Sequence, residues 1–199
     1  KSGIPVVVFD RDCPGLEADK VLVDDYFGAF QAVEYLIGTG CKNIAHLGGP
    51  LNLSTTEQRL QGYLDALEKN RVPINRDYIV HVPGFSHKDG AKATRKILEL
   101  KDRPDAIFAY NDNIAISAMH IAKKMGLKIP DEVSVLGFDD EPHSSFITPA
   151  LSTVWQPVYS MGMLSARILL SHLNNKNNIL EFRKEVFKPE LVIRASSKE

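Results

Sequence analysis

The chain has 199 residues, 44% hydrophobic and 25% charged, enough for one large domain or two small ones around a real core. A net charge of −1 argues against a domain that grips phosphates by itself, because such domains present a basic face. Two isolated cysteines, Cys13 and Cys41, make neither a disulfide framework nor a metal site, the histidines show no ligand spacing, no run reaches the ~20 apolar residues of a membrane span, and no signal peptide is visible.

Along the chain, apolar β-rich runs alternate with amphipathic stretches. Candidate strands lie at Ile4–Phe9, Asn43–Leu47, Tyr78–Val82, Ala106–Ala109 and Val133–Gly137. Most are near-continuous apolar runs, as expected of parallel strands covered on both faces. Between them lie helical patterns at Tyr26–Ile37, Glu57–Lys69, Lys88–Leu100 and Ile114–Met125. This alternation predicts a doubly wound, mostly parallel α/β sheet. Asp24 or Asp25 is placed to cap the first helix, Ser86 with Asp89 the third, and Asp112 the fourth. Gly40 and Gly126 follow the first and fourth helices, where a left-handed residue ends a helix.

The last quarter differs. An extended piece, Leu151–Gln156, precedes Pro157; a helix follows over Val158–Leu173, then a polar turn at Asn174–Asn178. A final extended segment is expected at Lys184–Arg194, and a frayed tail at Ala195–Glu199. The first strand has no preceding element to pair with, and the late helix has no obvious sheet to cover. Both fit the remnant of a second lobe, so the chain is expected to be a piece of something longer.

In open α/β sheets, ligands bind beyond the carboxyl ends of the strands. The first strand ends in Asp10, Arg11 and Asp12, and the loop after the second leads to Ser54, Thr55 and Arg59. Phe85 follows the third strand, Asn111 and Asp112 the fourth, Asp139 and Asp140 the fifth, and the late extended piece delivers Trp155 and Gln156. Carboxylates and amides accept from vicinal hydroxyls, arginine offers a fork of donors, and an aromatic ring covers the apolar face of a sugar. The candidate ligand contacts lie among these strand-end residues. No catalytic residue, metal or cofactor is expected.

One enzymatic reading competes. Val6–Asp12 has a hydrophobic-run-DxD shape that resembles the haloacid-dehalogenase phosphatases, with Asp139 and Asp140 as a conceivable magnesium pair. Pro14 stands where that pattern wants Thr or Val, and Gly48-Gly49-Pro50 lacks the lysine of a phosphate loop.

A second resemblance spans the chain. It is carried by Ile4–Arg11, Tyr35-Leu36-Ile37 with Gly40, Arg59–Tyr63, Arg103–Phe108, Asn111-Asp112, Ile129–Asp140, Pro149–Val154 with Gln156-Pro157, and Glu190–Arg194. The chain resembles the effector-binding core of LacI/GalR transcription regulators, a periplasmic-binding-protein-like type I fold. That resemblance implies two lobes with a small effector between them. It implies a cytoplasmic homodimer that meets operator DNA through an N-terminal helix-turn-helix, absent here, with no membrane partner. Residues 1–12 and 157–176 would be the remnant of an incomplete first lobe, and residues 21–150 with 183–199 the second. The resemblance implies Asp10, Arg11, Arg59, Phe85, Asn111, Asp139 and Gln156 as the effector contacts, with Thr55 a further candidate, and a sugar as the ligand. Leu53 stands where some purine-sensing members carry a charged contact, which leans away from a purine base; Cys41 replaces a usual His and affects packing only. A periplasmic sugar-binding protein of a transport system is the alternative with the same fold.

Overall fold

The computed structural model describes residues 4–174 and 182–198. Its elements run β1 (Val7–Asp10), β2 (Asp19–Val23), α1 (Asp25–Gly38), β3 (Ile44–Gly48), α2 (Ser54–Lys69), β4 (Ile79–His81) and α3 (His87–Leu98). They continue with β5 (Ala106–Ala109), α4 (Asp112–Lys124), β6 (Ser134–Leu136), β7 (Thr153–Trp155), α5 (Val158–Asn174), β8 (Lys184–Phe187) and β9 (Glu190–Val192). The larger sheet has the order β4-β3-β5-β6, all parallel. A smaller parallel sheet has the order β1-β2-β8. Strands β7 and β9 form an antiparallel pair, and β7 extends the larger sheet by lying parallel to the chain after β6.

Every residue of β3 and β5 is buried, and their side chains alternate between two cores. Ala45, Leu47, Ile107 and Ala109 pack against α3 and α4, while Ile44, Ala106 and Phe108 pack against α1 and α2. A parallel strand covered on both faces must be apolar on both, which is why these runs read as continuous rather than alternating. His46 is the exception. It is stacked between Tyr63 and Phe108, its Nδ1–H donates to the Phe108 carbonyl at 3.1 Å, and burial pushes its pKa down to about 3.

The helix signals work mostly as read. Asp24 caps α1 by accepting from Phe27 N at 2.9 Å, and Ser86 caps α3 by accepting from Asp89 N at 3.2 Å. Gly40 and Gly126 take positive φ just past α1 and α4, and the next residue's N–H closes the helix end, Cys41 onto Leu36 and Leu127 onto Ala122. The capping role expected of Asp112 falls instead to Asn111, whose Oδ1 accepts from Ile114 N at 3.1 Å. Asp112 is the first helical residue, and its side chain turns inward.

Several expectations fail for tertiary reasons. Strand β1 starts at Val7, three residues later than read, and pairs at a sheet edge with β2. Strand β2 was not expected, because its run opens with Asp19 and Lys20; Asp19 is nonetheless buried, held by His172 Nε2 at 2.6 Å and Arg183 N at 3.1 Å. The single extended segment Lys184–Arg194 is two strands in different sheets, broken at Lys188-Pro189. Residues 19–23 thus pair with β1, and residues 184–187 with residues 19–23, rather than with the larger sheet to which the sequence assigned most of them. The tail expected to fray is buried at Ser196 and Ser197. Ser196 exchanges hydrogen bonds with Val135 on β6, and Lys198 O accepts from Tyr35. Of the turn expected at Asn174–Asn178, only Asn174 lies within the described residues.

Helices α1 and α2 meet through Gly62, where an added Cβ would sit 2.4 Å from the Tyr26 carbonyl oxygen. Backbone cannot give way as a flexible side chain can. Gly62→Ala is therefore expected to lower unfolding free energy by about 1–3 kcal/mol, read as a lower urea midpoint at unchanged slope; an unchanged midpoint would contradict this packing.

Candidate functional site

Arg59 anchors the site. It lies on the buried stripe of α2 formed by Thr55, Thr56, Arg59, Gly62, Tyr63 and Ala66, a place for an apolar side chain. Its guanidinium is 3% exposed. Nε donates to Asp25 Oδ1 at 2.7 Å, Nη1 donates to the Tyr110 carbonyl, and Asp139 Oδ1 lies 3.7 Å from Nη1. The rings of Tyr110 and Phe138 cover it, with centroids 4.5 and 3.6 Å from Cζ. Burial opposes the charge, yet Asp25 and Asp139 together raise the Arg59 pKa, so the group stays cationic. Burial in turn pushes the Asp25 carboxyl up, against the pull of Arg59.

Around this anchor the structure brings together the other sequence-predicted residues. Thr55 Oγ1 and Tyr110 Oη are 2.7 Å apart. Phe85 stacks on Tyr110 at 5.2 Å, and Arg11 lies over Phe85 with Cζ 5.4 Å from its centroid. A continuous path therefore runs from the end of β1 to the end of β5. Asp10 ends β1 in a left-handed conformation, φ 66°, close enough to Asp25 and Asp139 for its charge to raise both. Asp139, at φ 114°, accepts from Gln156 Nε2 at 2.7 Å. Gln156 is buried, and its Oε1 has no partner among the described residues. Asn111 is near but its Oδ1 is committed to the α4 cap. Trp155 is 37% exposed beside Gln156.

Burial pushes the Asp139 carboxyl up from 3.8 to about 7, with Arg59 pulling it down and Asp112 and Asp10 adding to the rise. Asp112 is likewise pushed up by burial, to about 6. Sequence reasoning missed Tyr110 and Phe138 as members and read Asp25 only as a cap candidate. The available signal was position: each lies one or two residues past a strand end.

The acidic residues of the phosphatase-like pattern have basic partners. The Asp12 carboxylate is taken by Lys20 at 2.5 Å, a hydrogen bond that holds its pKa below the ordinary value. Asp139 and Asp140 each already face a cation, Arg59 at 3.7 Å and Arg194 at 2.8 Å.

Comparison with known proteins identifies the family. Residues 33–197 match the model of the periplasmic binding protein-like domain. A probable transcriptional repressor from Bacillus subtilis, ExuR, is 39% identical over 86% of this chain and 51% of its own length. A regulatory protein of the LacI family from Chloroflexus aggregans is 36% identical, with a TM-score of 0.87 over 97% of this chain and 68% of that one. The chain belongs to the LacI family. A further member, from Enterococcus faecium and solved with bound ribose, is 26% identical with a TM-score of 0.86 over 98% of this chain and 70% of that one. This LacI-family domain spans about half the length of the curated relatives it matches. Among its described residues, no helix is long and apolar enough to cross a membrane.

Two outcomes follow for the domain. Removing Arg59 leaves Asp25 buried without its cation, so Arg59→Ala is expected to cost about 3–5 kcal/mol of stability, measured by urea unfolding. Asp139 holds its proton more tightly folded than unfolded, since its pKa is raised from 3.8 to about 7. Its contribution to stability is full below the unfolded value and is lost as the pH rises through the folded one. In Asp139→Asn the stability difference between pH 5 and pH 8 should therefore shrink, by on the order of 1 kcal/mol; a difference as large as the parent's would show that Asp139 does not titrate there.

Proposed function

We propose that this chain is the effector-sensing and dimerisation domain of a bacterial transcriptional repressor, and that its effector is a sugar. The observation that carries the reading is the convergence of Asp10, Arg11, Arg59, Phe85, Asp139 and Gln156 at the carboxyl ends of strands from both sheets. Hydroxyls donate to the carboxylates of Asp10 and Asp139 and to the unpartnered Oε1 of Gln156. The half-exposed Arg11 guanidinium, held over Phe85, donates in return, and Trp155 offers a ring face to C–H surface. Thr55, Arg59 and Asn111 support this surface from behind, through Tyr110, Asp25 and α4. A relative solved with ribose supports the ligand class. No metal, cofactor or catalysis enters.

Residues 4–12 and 157–174, joined by β2 and β8, form part of a first lobe; the larger sheet and its helices form the second. The effector closes the lobes only by binding one arrangement better than the other, and that difference alters operator affinity. Operator DNA is read by a helix-turn-helix outside these residues, in a cytoplasmic homodimer.

The test is a thermal-shift screen of the full-length protein against pentoses, hexoses, disaccharides, sugar phosphates and nucleosides. A ligand at ~100 times its dissociation constant stabilises by about 2.7 kcal/mol, a rise of a few degrees in Tm. The rise should vanish in Arg11→Ala and Asp139→Asn, which spare the buried Arg59–Asp25 pair. No rise with any sugar, from a folded dimer, would sink the sugar reading.

A further inference from the structure

The Asp112 carboxylate makes no contact with the binding surface, yet it is fully buried and collects three donors from two other segments. Its Oδ2 accepts from Ser144 Oγ at 2.5 Å and Glu141 N at 2.9 Å, and its Oδ1 accepts from Thr153 Oγ1 at 2.6 Å. Its backbone N–H donates to the Phe138 carbonyl at 2.9 Å. Thr153 Oγ1 in turn accepts from Asp140 N at 3.4 Å. At Gly137 an added Cβ would stand 2.2 Å from Asp112 Oδ1, so the chain before Asp139 is pressed against this carboxylate.

The segments so tied are those that build the binding surface. Asp139 and Asp140 are consecutive non-glycine residues with positive φ, 114° and 54°, a backbone that persists only when its surroundings hold it. Thr153 opens β7, the strand that delivers Trp155 and Gln156. Glu141 and Ser144 belong to the turn that ends at Phe146, which is 84% exposed.

We propose that Asp112 is a positioning residue for the effector site: its carboxylate sets the Asp139–Asp140 turn and the β7 strand in register, and couples both to the exposed turn at Pro142–Phe146. It touches no ligand and acts through its three donors. The assignment rests on the reading of Asp139 and Gln156 as effector contacts.

Hydrogen exchange in the full-length protein tests it, comparing the parent with Asp112→Ala and Asp112→Asn. In Asp112→Ala, amide protection at Asp139, Asp140, Glu141 and Ser144 should fall about tenfold or more, the weight of hydrogen bonds to a buried charge. Protection in the core strands, at Ala45 and Ile107, should stay put. Asn restores much of the lost protection, because its carbonyl accepts from Glu141 and Ser144 while its amide donates to Thr153. If Asp112→Ala does not fold, Thr153→Val should loosen Asp140 alone, and Ser144→Ala should loosen Glu141 and Phe146. Unchanged protection at the turn, or a loss spread evenly through the core strands, overturns the proposal. The measurement needs no effector, so a failed sugar screen would count against the proposed function and leave this result standing.

Discussion

A guanidinium enclosed by protein is costly, several kcal/mol even after relaxation, unless partners with good geometry surround it. Arg59 meets that demand from four directions. Asp25 comes from the start of α1, the Tyr110 carbonyl and ring from the end of β5, and the Phe138 ring and Asp139 from the turn after β6. None of these elements can move far from the others without stranding a charge. The close approach of α1 and α2 at Gly62, one turn along from Arg59, belongs to the same constraint. The carboxyl edge of the larger sheet is thus a rigid platform, on which polar side chains stand at fixed positions before any ligand arrives.

That platform is electrostatically unfinished. Asp139 has one cation at 3.7 Å and one amide donor at 2.7 Å, while Asp10 and Asp112 oppose its charge. Burial leaves its pKa near neutrality, at about 7. Gln156 carries a buried oxygen with no partner among the described residues. Asp139 has a single hydrogen-bond donor, Gln156 Oε1 has none among the described residues, and hydroxyls are donors. In the proposed role, a polyol completes hydrogen bonds that the protein leaves open, and donation to the ionised form of Asp139 favours loss of its proton on binding.

The parts legible in the sequence were those dictated by short-range physics. Strands β3 and β5 announce themselves as apolar runs because both of their faces are covered. Helix ends were legible at Asp24, Ser86, Gly40 and Gly126, where one side chain or one φ decides the matter. A topological rule pointed to the strand ends and the family resemblance selected eight residues among them; Thr55 and Asn111 are committed to Tyr110 and a helix cap. What escaped depended on distant partners. Strand β2 opens on a charged pair whose partners are distant: His172 and Arg183 N for Asp19, and Asp12 for Lys20. Tyr110 looked like any strand-end aromatic until Arg59, Thr55 and Phe85 were seen on it.

By itself, then, the sequence determined the α/β class, the order of most elements and the chemical character of the strand ends, since periodicity, capping and residue type are properties of neighbouring residues. Only the tertiary structure decided which sheet each late strand joins, why Ser196 and Ser197 are buried rather than frayed, and that Asp112 faces inward to Ser144, Glu141 and Thr153 instead of capping its helix. Those outcomes are set by donors and acceptors tens of residues away. A buried polar group takes whichever partner the fold brings within about 3 Å, and no local pattern records which one that will be.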